Sequence, residues 1–422
     1  MDRPDIRRMP KRGNPLEAQR KLLETAGSKL LLTEFVPLSL SVGRALAQDV
    51  YADINIPAYD KTFVDGYAIN PQNTTEASPD KPVAFKIIGT LFPSDYPTNM
   101  QVAEDEAVYV ATGAPIPSGA SATVKVEETK MNGNQIEVVR HIKQGEGIIP
   151  LGDDVRQGTL LLKSGYFLRP QDLGLLASIG LVEAEVYRKP FIAILSGGDE
   201  LLKQQQNSPA KIPNNYALVV AGLAEELGAL AKVMRIMPDT LDLVQTRIGE
   251  ALVDADVVVT IGGSSVGVKD FVPDAINRLG KPGVVVHGIA LRPGAVSGFG
   301  IVNGKPIIML PGHIGSCIAG FYLFLAPLII QLSGAKGDGL QPTLPAELTD
   351  TVDSGPQFRL VFLNLKRSGG KLLASPAKGG SSALTTIVKS NGYSLISPHV
   401  NLTAGCVVDV HLLGRLELAK VG

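Results

Sequence analysis

Three stretches of the sequence place glycine, small residues and acids directly after an apolar run. They read AILSGGDEL (193–201), VVTIGGSSVGVKD (258–270) and IMLPGHIGS (308–316). Glycine lets the backbone approach a ligand and present its N–H groups to an anion, and serine hydroxyls add further donors. The carboxylates of Glu200 and Asp270 could bind a cation or polarise a water molecule. A single stretch of this kind could be a tight turn with a solvated acid, but three of them together favour a ligand site.

The part of the chain that carries these stretches alternates apolar strands with amphipathic helices. From Lys189 onward, strands such as PFIAIL and ADVVVTI are followed by helical patterns, one of which repeats its apolar residues at Leu241, Val244, Ile248 and Leu252. This alternation predicts a doubly wound, mostly parallel α/β sheet. Such sheets bind ligands beyond the carboxyl ends of their strands, where all three stretches would lie. The glycine spacing fits neither a Rossmann fingerprint nor a P-loop.

Changes of composition along the chain predict a multidomain α/β protein. The predicted segments are a disordered basic tail (1–14), an elongated linker domain (15–50 with 151–188), an inserted β-rich module (51–150), the α/β domain (189–335) and a C-terminal β domain (341–422). Short β-rich runs separated by proline, glycine and asparagine define the module.

Two turns of the β-rich module carry polar side chains. Asp65 lies in an Asp-Gly turn beside Phe63 and Tyr67, and Thr112 lies in ATGAPIPSGA, where two prolines restrict the backbone. These turns could be plain hairpin connections, or they could form a rim that reaches the cleft of another subunit. The residues alone leave both interpretations open.

Composition excludes several classes of function. The net charge is −1, so no basic face for nucleic acid is predicted. The two cysteines, Cys317 and Cys406, make a disulfide framework or a cysteine zinc site improbable and fit a reducing cytoplasm. The longest apolar run, 317–330, contains a proline and is too short to span a bilayer, so we expect a core helix and no membrane partner.

Several motifs, taken in order, resemble those of the MoeA / gephyrin E-domain family, the molybdopterin molybdenumtransferases. The motifs are DGYAI, ATGAPIPSGA, LSGGDEL, ADVVVTIGGSSVGVKD, LRPGAVSGFG, LPGHIGS and GGSSALTTIVKSNGY. The resemblance implies an α/β domain like that of MogA and a homodimer whose pterin cleft lies between this domain and the β module of the other subunit. It implies insertion of molybdate or tungstate into adenylylated molybdopterin with release of AMP, dependent on a divalent cation such as Mg²⁺. A MogA-like adenylyltransferase is the protein partner that it suggests.

The resemblance also assigns roles to residues of this sequence. It gives catalytic roles to Asp65, Asp270 and Glu200, and it gives cation binding to Asp270, Glu200 and Asp239. The expected substrate-binding residues are Thr112, Gly262, Gly263, Ser265, Gly267, Arg292, Ser316, Ser381 and Ser382.

The sequence departs from the family pattern at several of the charged positions. Where the family usually has a lysine, then Pro-Gly, then Lys-Pro, this chain has Arg292, followed by Pro-Gly and then Ala295 and Val296. Thr240 stands where a second acid is common, and IIPLGDDV lacks the arginines usual before its acidic turn. Three hypotheses therefore stay open: an active molybdenumtransferase, an impaired paralogue that binds a pterin or a protein partner without turnover, and a dimeric scaffold.

Overall fold

The computed structural model describes residues 12–26, 31–202, 214–265, 267, 270–336, 343–379 and 382–413. It divides into two compact units, which are described separately. The first comprises Met1–Ala47, Ser164–Arg169 and Ala184–Gly422, and the second comprises Gln48–Lys163 and Pro170–Glu183.

The first unit is built around a six-stranded sheet. In spatial order its strands are Leu230–Val233, Phe191–Ser196, Val257–Ile261, Lys305–Leu310, Gly298–Val302 and Pro282–His287. The first four strands run parallel, and the last two pair antiparallel at one edge. All five residues of Val257–Ile261 are buried, as expected for a central strand covered on both faces. The predicted α/β class and its mostly parallel sheet are confirmed.

Helices cover both faces of this sheet. They are Pro15–Ala26, Asp199–Leu202, Asn215–Glu226, Leu241–Asp254, Val272–Leu279 and the long helix formed by Ile314–Gly320, a π-helical turn at Phe321–Leu325, and Ala326–Leu332. In Leu241–Asp254, Val244, Ile248 and Ala251 are buried at helical spacing against one face of the sheet. The apolar repeat that predicted this helix therefore marks its buried stripe.

The helix from Ile314 to Leu332 is long and apolar enough, by length and composition, to cross a membrane. In this structure, however, 78% of its most apolar window is buried inside the protein. Its side chains, including Phe321 and Phe324, pack in the largest apolar cluster of the first unit. It is therefore the core helix that the sequence predicted for 317–330, extended by a few residues at each end.

The helix Pro15–Ala26 lies against the α/β core. Ala18, Leu22 and Ala26 are buried in the same cluster as the long helix, although the sequence had assigned 15–50 to a linker domain. An amphipathic pattern identifies the apolar stripe of a helix but not the surface that covers it. The sequence therefore predicts the helix but not that it packs on the α/β core. A short sheet of Thr33–Pro37 and Glu183–Tyr187 also belongs largely to this unit.

The C-terminal part of the first unit forms a second six-stranded sheet that closes on itself. Its strands, in spatial order, are Leu291–Arg292, Phe358–Ser368, Lys371–Pro376, Thr343–Leu348, Val407–Leu412 and Gly392–Ile396. Closure comes from Phe358–Ser368, which also pairs with Gly392–Ile396. A small pair, Val352–Asp353 with Asn401–Leu402, and the helix Leu384–Val388 complete this part. The strand Leu291–Arg292 comes from the α/β segment, so it joins the two sheets of this unit.

The second unit contains a six-stranded sheet of its own. In spatial order its strands are Ala122–Lys125, Gly66–Ile69, Glu106–Val110, Val83–Leu91, Gln135–Val138 and Thr129–Asn132. Two short strand pairs join Lys61–Thr62 to Ile148–Ile149 and Val50–Tyr51 to Leu160–Leu162. The unit also holds the helix Pro170–Ser178 and three short 3-10 turns, Pro71–Thr74, Pro93–Asp95 and Val126–Glu128.

Candidate functional site

The loop that follows the central strand Val257–Ile261 has a backbone that only glycine adopts readily. Gly262 and Gly263 have φ values of +81° and +66°. Gly262 donates its N–H to the carbonyl of Leu310 at 3.0 Å, and the carbonyl of Gly263 accepts from the N–H of Val272 at 3.1 Å. A β-carbon on Gly263 would also lie only 3.1 Å from Cγ2 of Val272. The loop is therefore fixed tightly between the next strand and the following helix.

Asp270 ends this loop and faces two cavities. Its Oδ2 accepts the N–H of Gly267 at 2.7 Å, so the carboxylate also holds its own loop. Asp270, Gly262, Gly263 and Gly312 line both a cavity of about 840 Å³ and a second one of about 240 Å³. We call the larger one the basic cavity and the smaller one the acidic cavity, after the charged side chains described next.

The basic cavity lies between the carboxyl edge of the α/β sheet and the C-terminal sheet. Among the described residues, its charged lining consists of Arg12, Arg292 and Arg359 on one hand and Asp270 on the other. His313, which precedes the long core helix, also lines it. The charge balance favours an anionic ligand, because three permanent cations face one carboxylate.

Two of these arginines lie side by side. The strand Leu291–Arg292 runs parallel to Phe358–Ser368, with Arg292 opposite Arg359. Like charges directly opposite each other on neighbouring strands repel and destabilise the pair. Arg359 is partly held in place, because its Nη1 donates to the backbone carbonyl of Asp353 at 2.6 Å. An anion bound between the two guanidinium groups would remove the repulsion.

Ser264, which follows Gly263 in the loop, offers a buried hydroxyl donor to the same cavity. Ser264 is 1% exposed, and its hydroxyl oxygen has no hydrogen-bond partner among the described residues. The backbone carbonyl of Ser264 lies 2.7 Å from Nε2 of His287, so that nitrogen carries the hydrogen of the contact. A buried hydroxyl without a partner is costly unless a ligand accepts from it. Ser264 therefore supports the presence of a ligand acceptor at this loop.

The acidic cavity is lined by three carboxylates. Glu200, Asp239 and Asp270 face it together with glycines of the loops that end neighbouring strands. The turns at 199 and 239 hold each other, since each aspartate at these positions accepts the backbone N–H of the other, at 3.1 and 3.2 Å. Within the described ranges, no three His, Cys, Asp or Glu side chains converge closely enough to form a complete metal cluster.

These carboxylates have the donor chemistry that a magnesium ion takes. Mg²⁺ usually keeps several waters and takes one or two protein carboxylates together with substrate phosphates, so a complete protein cage is not required. The oxygen donors of Glu200, Asp239 and Asp270 are of the type that Mg²⁺ prefers, and they lie next to the basic cavity. The predicted cation residues thus share one cavity, although the cation itself stays a prediction.

Several predicted substrate-binding residues share the basic cavity. They are Gly262, Gly263, Ser265, Arg292 and Ser316. Gly267 is next to the site through its hydrogen bond to Asp270. Ser382 is exposed and lines neither cavity, and Ser381 lies outside the described residues.

Asp65 and Thr112 meet in the second unit. The carboxylate Oδ1 of Asp65 accepts the backbone N–H of Thr112 at 2.7 Å and its hydroxyl at 3.0 Å. Both bonds lower the pKa of Asp65, and the bond from the backbone N–H has the larger effect. The two turns therefore present an ionised, pre-oriented carboxylate on an exposed surface.

We expect Thr112→Val to raise the pKa of Asp65, because the hydroxyl donor is lost while the backbone donor remains. A lowered carboxyl pKa means that the ionised, bonded form persists at neutral pH and is lost only as the pH falls through that pKa. Titration of ¹³C-labelled aspartates by NMR should show the Asp65 midpoint moving upward in the variant. Thr75→Val, which removes an exposed hydroxyl bonded to Gln72 in the same unit, is the matched control and should leave the midpoint unchanged. An unchanged midpoint in Thr112→Val would contradict the assignment.

The structure adds Arg12, Arg359 and Ser264 to the site, none of which the sequence singled out. The sequence did contain a hint for Arg359. This arginine lies between Phe358 and Leu360 in an apolar strand, where a charged side chain is uncommon and can indicate a function. The sequence contained no such hint for Arg12, since its composition predicts that residues 1–14 form a disordered tail. The described residues 12–14 are instead fixed against the α/β unit, where Gly13 forms a bridge to Ile289.

Three family models match this chain in succession. The MoeA N-terminal region (domain I and II) matches residues 14–180, the probable molybdopterin binding domain matches 193–331, and the MoeA C-terminal region (domain IV) matches 345–413. Together they cover most of the sequence, including every loop that lines the two cavities apart from the segment of Arg12.

Similar proteins are found over nearly the full length. A molybdopterin molybdenumtransferase of Bacillus subtilis is 34% identical over 371 residues, which is 86% of each chain. A putative molybdopterin biosynthesis protein of Methanocaldococcus jannaschii is 31% identical over 88% of this chain and 90% of its own. A crystal structure of a molybdopterin biosynthesis MoeA protein from Pyrococcus horikoshii superimposes with a TM-score of 0.82 at 30% identity, covering 95% of this chain and 99% of that one. On this evidence the chain belongs to the MoeA family, the molybdopterin molybdenumtransferases.

Proposed function

We propose that this protein inserts molybdate, or tungstate, into adenylylated molybdopterin and releases AMP. Membership of the family supports a role in molybdenum cofactor biosynthesis and a transferase activity. The observation that carries the more specific proposal is the meeting of a basic and an acidic cavity at Gly262, Gly263 and Asp270. The reaction needs both environments, because it handles an oxyanion and a phosphate at one place and a divalent cation beside them.

The basic cavity suits the anionic reactants. Guanidinium groups bind tetrahedral oxyanions through planar, paired N–H donors, so Arg292 and Arg359 would hold molybdate between them. The glycine loop and the hydroxyl of Ser264 would supply further donors to a phosphate or to molybdate oxygens. The cavity of about 840 Å³ is large enough for a pterin and a neighbouring anion.

The acidic cavity suits the cation that the cleavage of a phosphoanhydride requires. One or two of the carboxylates of Glu200, Asp239 and Asp270 would hold Mg²⁺, which would supply charge neutralisation at the phosphate. Asp270 lies where both cavities meet, so it would orient the cation toward the anhydride while its bond to Gly267 keeps the loop in place. Glu200 follows the turn after the neighbouring strand Phe191–Ser196 and would offer the cation a further carboxylate.

The remaining expectations are proposals of the same kind. A homodimer would allow the exposed Asp65–Thr112 pair of a second subunit to complete the pterin cleft. A MogA-like adenylyltransferase is the protein that would supply the adenylylated substrate, in a cytoplasmic setting. The impaired-paralogue alternative has one observation in its favour, because Ala295 and Val296 line the basic cavity where the family usually has lysine and proline.

An assay of AMP release separates these alternatives. The purified chain, incubated with adenylylated molybdopterin, Mg²⁺ and molybdate, should release AMP, and omission of molybdate or Mg²⁺ should reduce the rate strongly. The double variant Ala295→Lys, Val296→Pro should change the rate by no more than a few-fold, because the arginines already supply the positive charge of the cavity. Activity in the double variant together with a silent wild type would instead establish an impaired paralogue.

A further inference from the structure

We propose that Arg12 is a third oxyanion-binding residue of the basic cavity and supplies the positive charge that Ala295 cannot. The proposal rests on the proposed function, because it deepens the account of how that site holds molybdate. Arg12 lines the same cavity as Arg292, Arg359 and Ala295, although it precedes each of them by 280 residues or more in the sequence.

Backbone hydrogen bonds fix the segment of Arg12 against the site. The N–H of Gly13 donates to the carbonyl of Gly288 at 3.3 Å, and the N–H of Ala290 donates to the carbonyl of Gly13 at 2.8 Å. On its other side, the carbonyl of Ala290 accepts the N–H of Phe358 at 3.0 Å. Residues 288–290 are thus held between the N-terminal segment and the C-terminal sheet.

This arrangement puts three arginines on three adjoining segments. Arg12 precedes Gly13, Arg292 follows Ala290 by two positions, and Arg359 follows Phe358. The segments are neighbours through the hydrogen bonds just described and through the pairing of Arg292 with Arg359. The three side chains therefore reach one cavity from three short extended pieces of chain.

The start of the first helix anchors the segment from the other end. The side-chain oxygen of Asn14 accepts the N–H of Leu16 at 2.9 Å and that of Glu17 at 3.4 Å, which caps the helix Pro15–Ala26. That helix is held in the core by Leu22, which is fully buried. Arg12 lies just outside this anchored helix, so ligand binding would cost little backbone entropy there.

The charges of the cavity leave Arg12 without a protein counter-ion. Among the described residues, the guanidinium groups of Arg12 and Arg292 have no hydrogen-bond or ion-pair partner, whereas that of Arg359 donates to a backbone carbonyl. Asp270 is the single carboxylate among the described lining residues, so it can neutralise at most one of the three guanidinium groups. A solvated surface arginine would need no ligand, but three arginines that share one cavity with a single carboxylate, a buried hydroxyl and a glycine loop form the composition of an oxyanion site.

The test compares molybdate binding by Arg12→Gln, Arg12→Lys and wild type. Isothermal titration with sodium molybdate at fixed ionic strength should give roughly tenfold weaker binding for Arg12→Gln, the effect of one lost charge-assisted hydrogen bond. Arg12→Lys should recover most of the affinity. In the AMP assay, Arg12→Gln should raise the KM for molybdate more than it lowers kcat, as expected for a binding residue.

Arg20→Gln is the matched control. Arg20 is also an exposed arginine near the N-terminus, it pairs with Glu24, and it lines neither cavity. This variant should bind molybdate like wild type. If Arg12→Gln binds molybdate as tightly as wild type while Arg359→Gln binds it more weakly, the role of Arg12 is overturned and the proposed function stays intact. A wild type that neither binds molybdate nor releases AMP would overturn both.

Discussion

The rate of AMP release is expected to fall by about 10²–10³-fold in Asp270→Asn, because Asp270 is the position at which we expect substitution to have the largest effect. Asp270 faces both cavities, so in the proposed reaction its charge would act on the cation and on the phosphate at once. Asparagine keeps an oxygen that can accept the N–H of Gly267, so the loop should retain its shape while the charge is lost. Single-turnover measurement of AMP, with the protein in excess over substrate, would separate this loss from slow product release.

Two comparisons make this expectation specific. Asp270→Ala removes both the charge and the acceptor for Gly267, so it should be at least as inactive and also less stable than Asp270→Asn. Asp242→Asn is the matched control, because Asp242 is an exposed aspartate of the same unit that pairs with Arg278 and lines neither cavity. Asp270→Asn with a wild-type rate would show that the carboxylate has no part in the reaction.

The second large effect is expected for Arg359→Gln. Molybdate affinity should fall by about 10–100-fold, since a charge-assisted hydrogen bond contributes ~1.5–3 kcal/mol and the partner of Arg292 is lost. The effect should exceed that of Arg12→Gln, because Arg359 is also positioned by its bond to the carbonyl of Asp353. Titration with molybdate measures the change directly, and tungstate should follow the same order of variants.

Arg367→Gln is the control for Arg359→Gln. Arg367 lies on the same strand, Phe358–Ser368, but it is exposed and lines neither cavity. It should leave molybdate affinity unchanged. Equal losses in the two variants would indicate that general charge, rather than the pairing of Arg292 with Arg359, attracts the anion.

The sequence was sufficient for the parts of the site that lie close together along the chain. The strand Val257–Ile261, the glycines after it and Asp270 form one local unit, in which an apolar run and an obligatory glycine turn predict both structure and position. Glu200 was predicted for the same reason, because parallel strands end at one edge of their sheet. Local patterns of this kind do not depend on the packing of remote segments.

Two of the three cations of the site, Arg12 and Arg359, could not be predicted in this way, whereas Arg292 was predicted. Arg12 and Arg359 reach the cavity only because Gly13 joins residues 288–290 on one side and Phe358 joins Ala290 on the other. Pairings between such distant segments are set by the tertiary fold and leave no periodicity in the sequence. Counting the cations of one motif, LRPGAV, therefore underestimated the positive charge that lines the basic cavity.

The most direct test of the account is a joint measurement of AMP released and molybdenum incorporated by the wild-type chain. With adenylylated molybdopterin, Mg²⁺ and excess molybdate, we predict that both products form in equal amounts and that both form about 10²–10³-fold more slowly in Asp270→Asn. Molybdenum bound to the pterin can be quantified by elemental analysis after the free anion is removed. Folded wild-type protein that binds the pterin yet yields neither AMP nor incorporated molybdenum would contradict the proposed function.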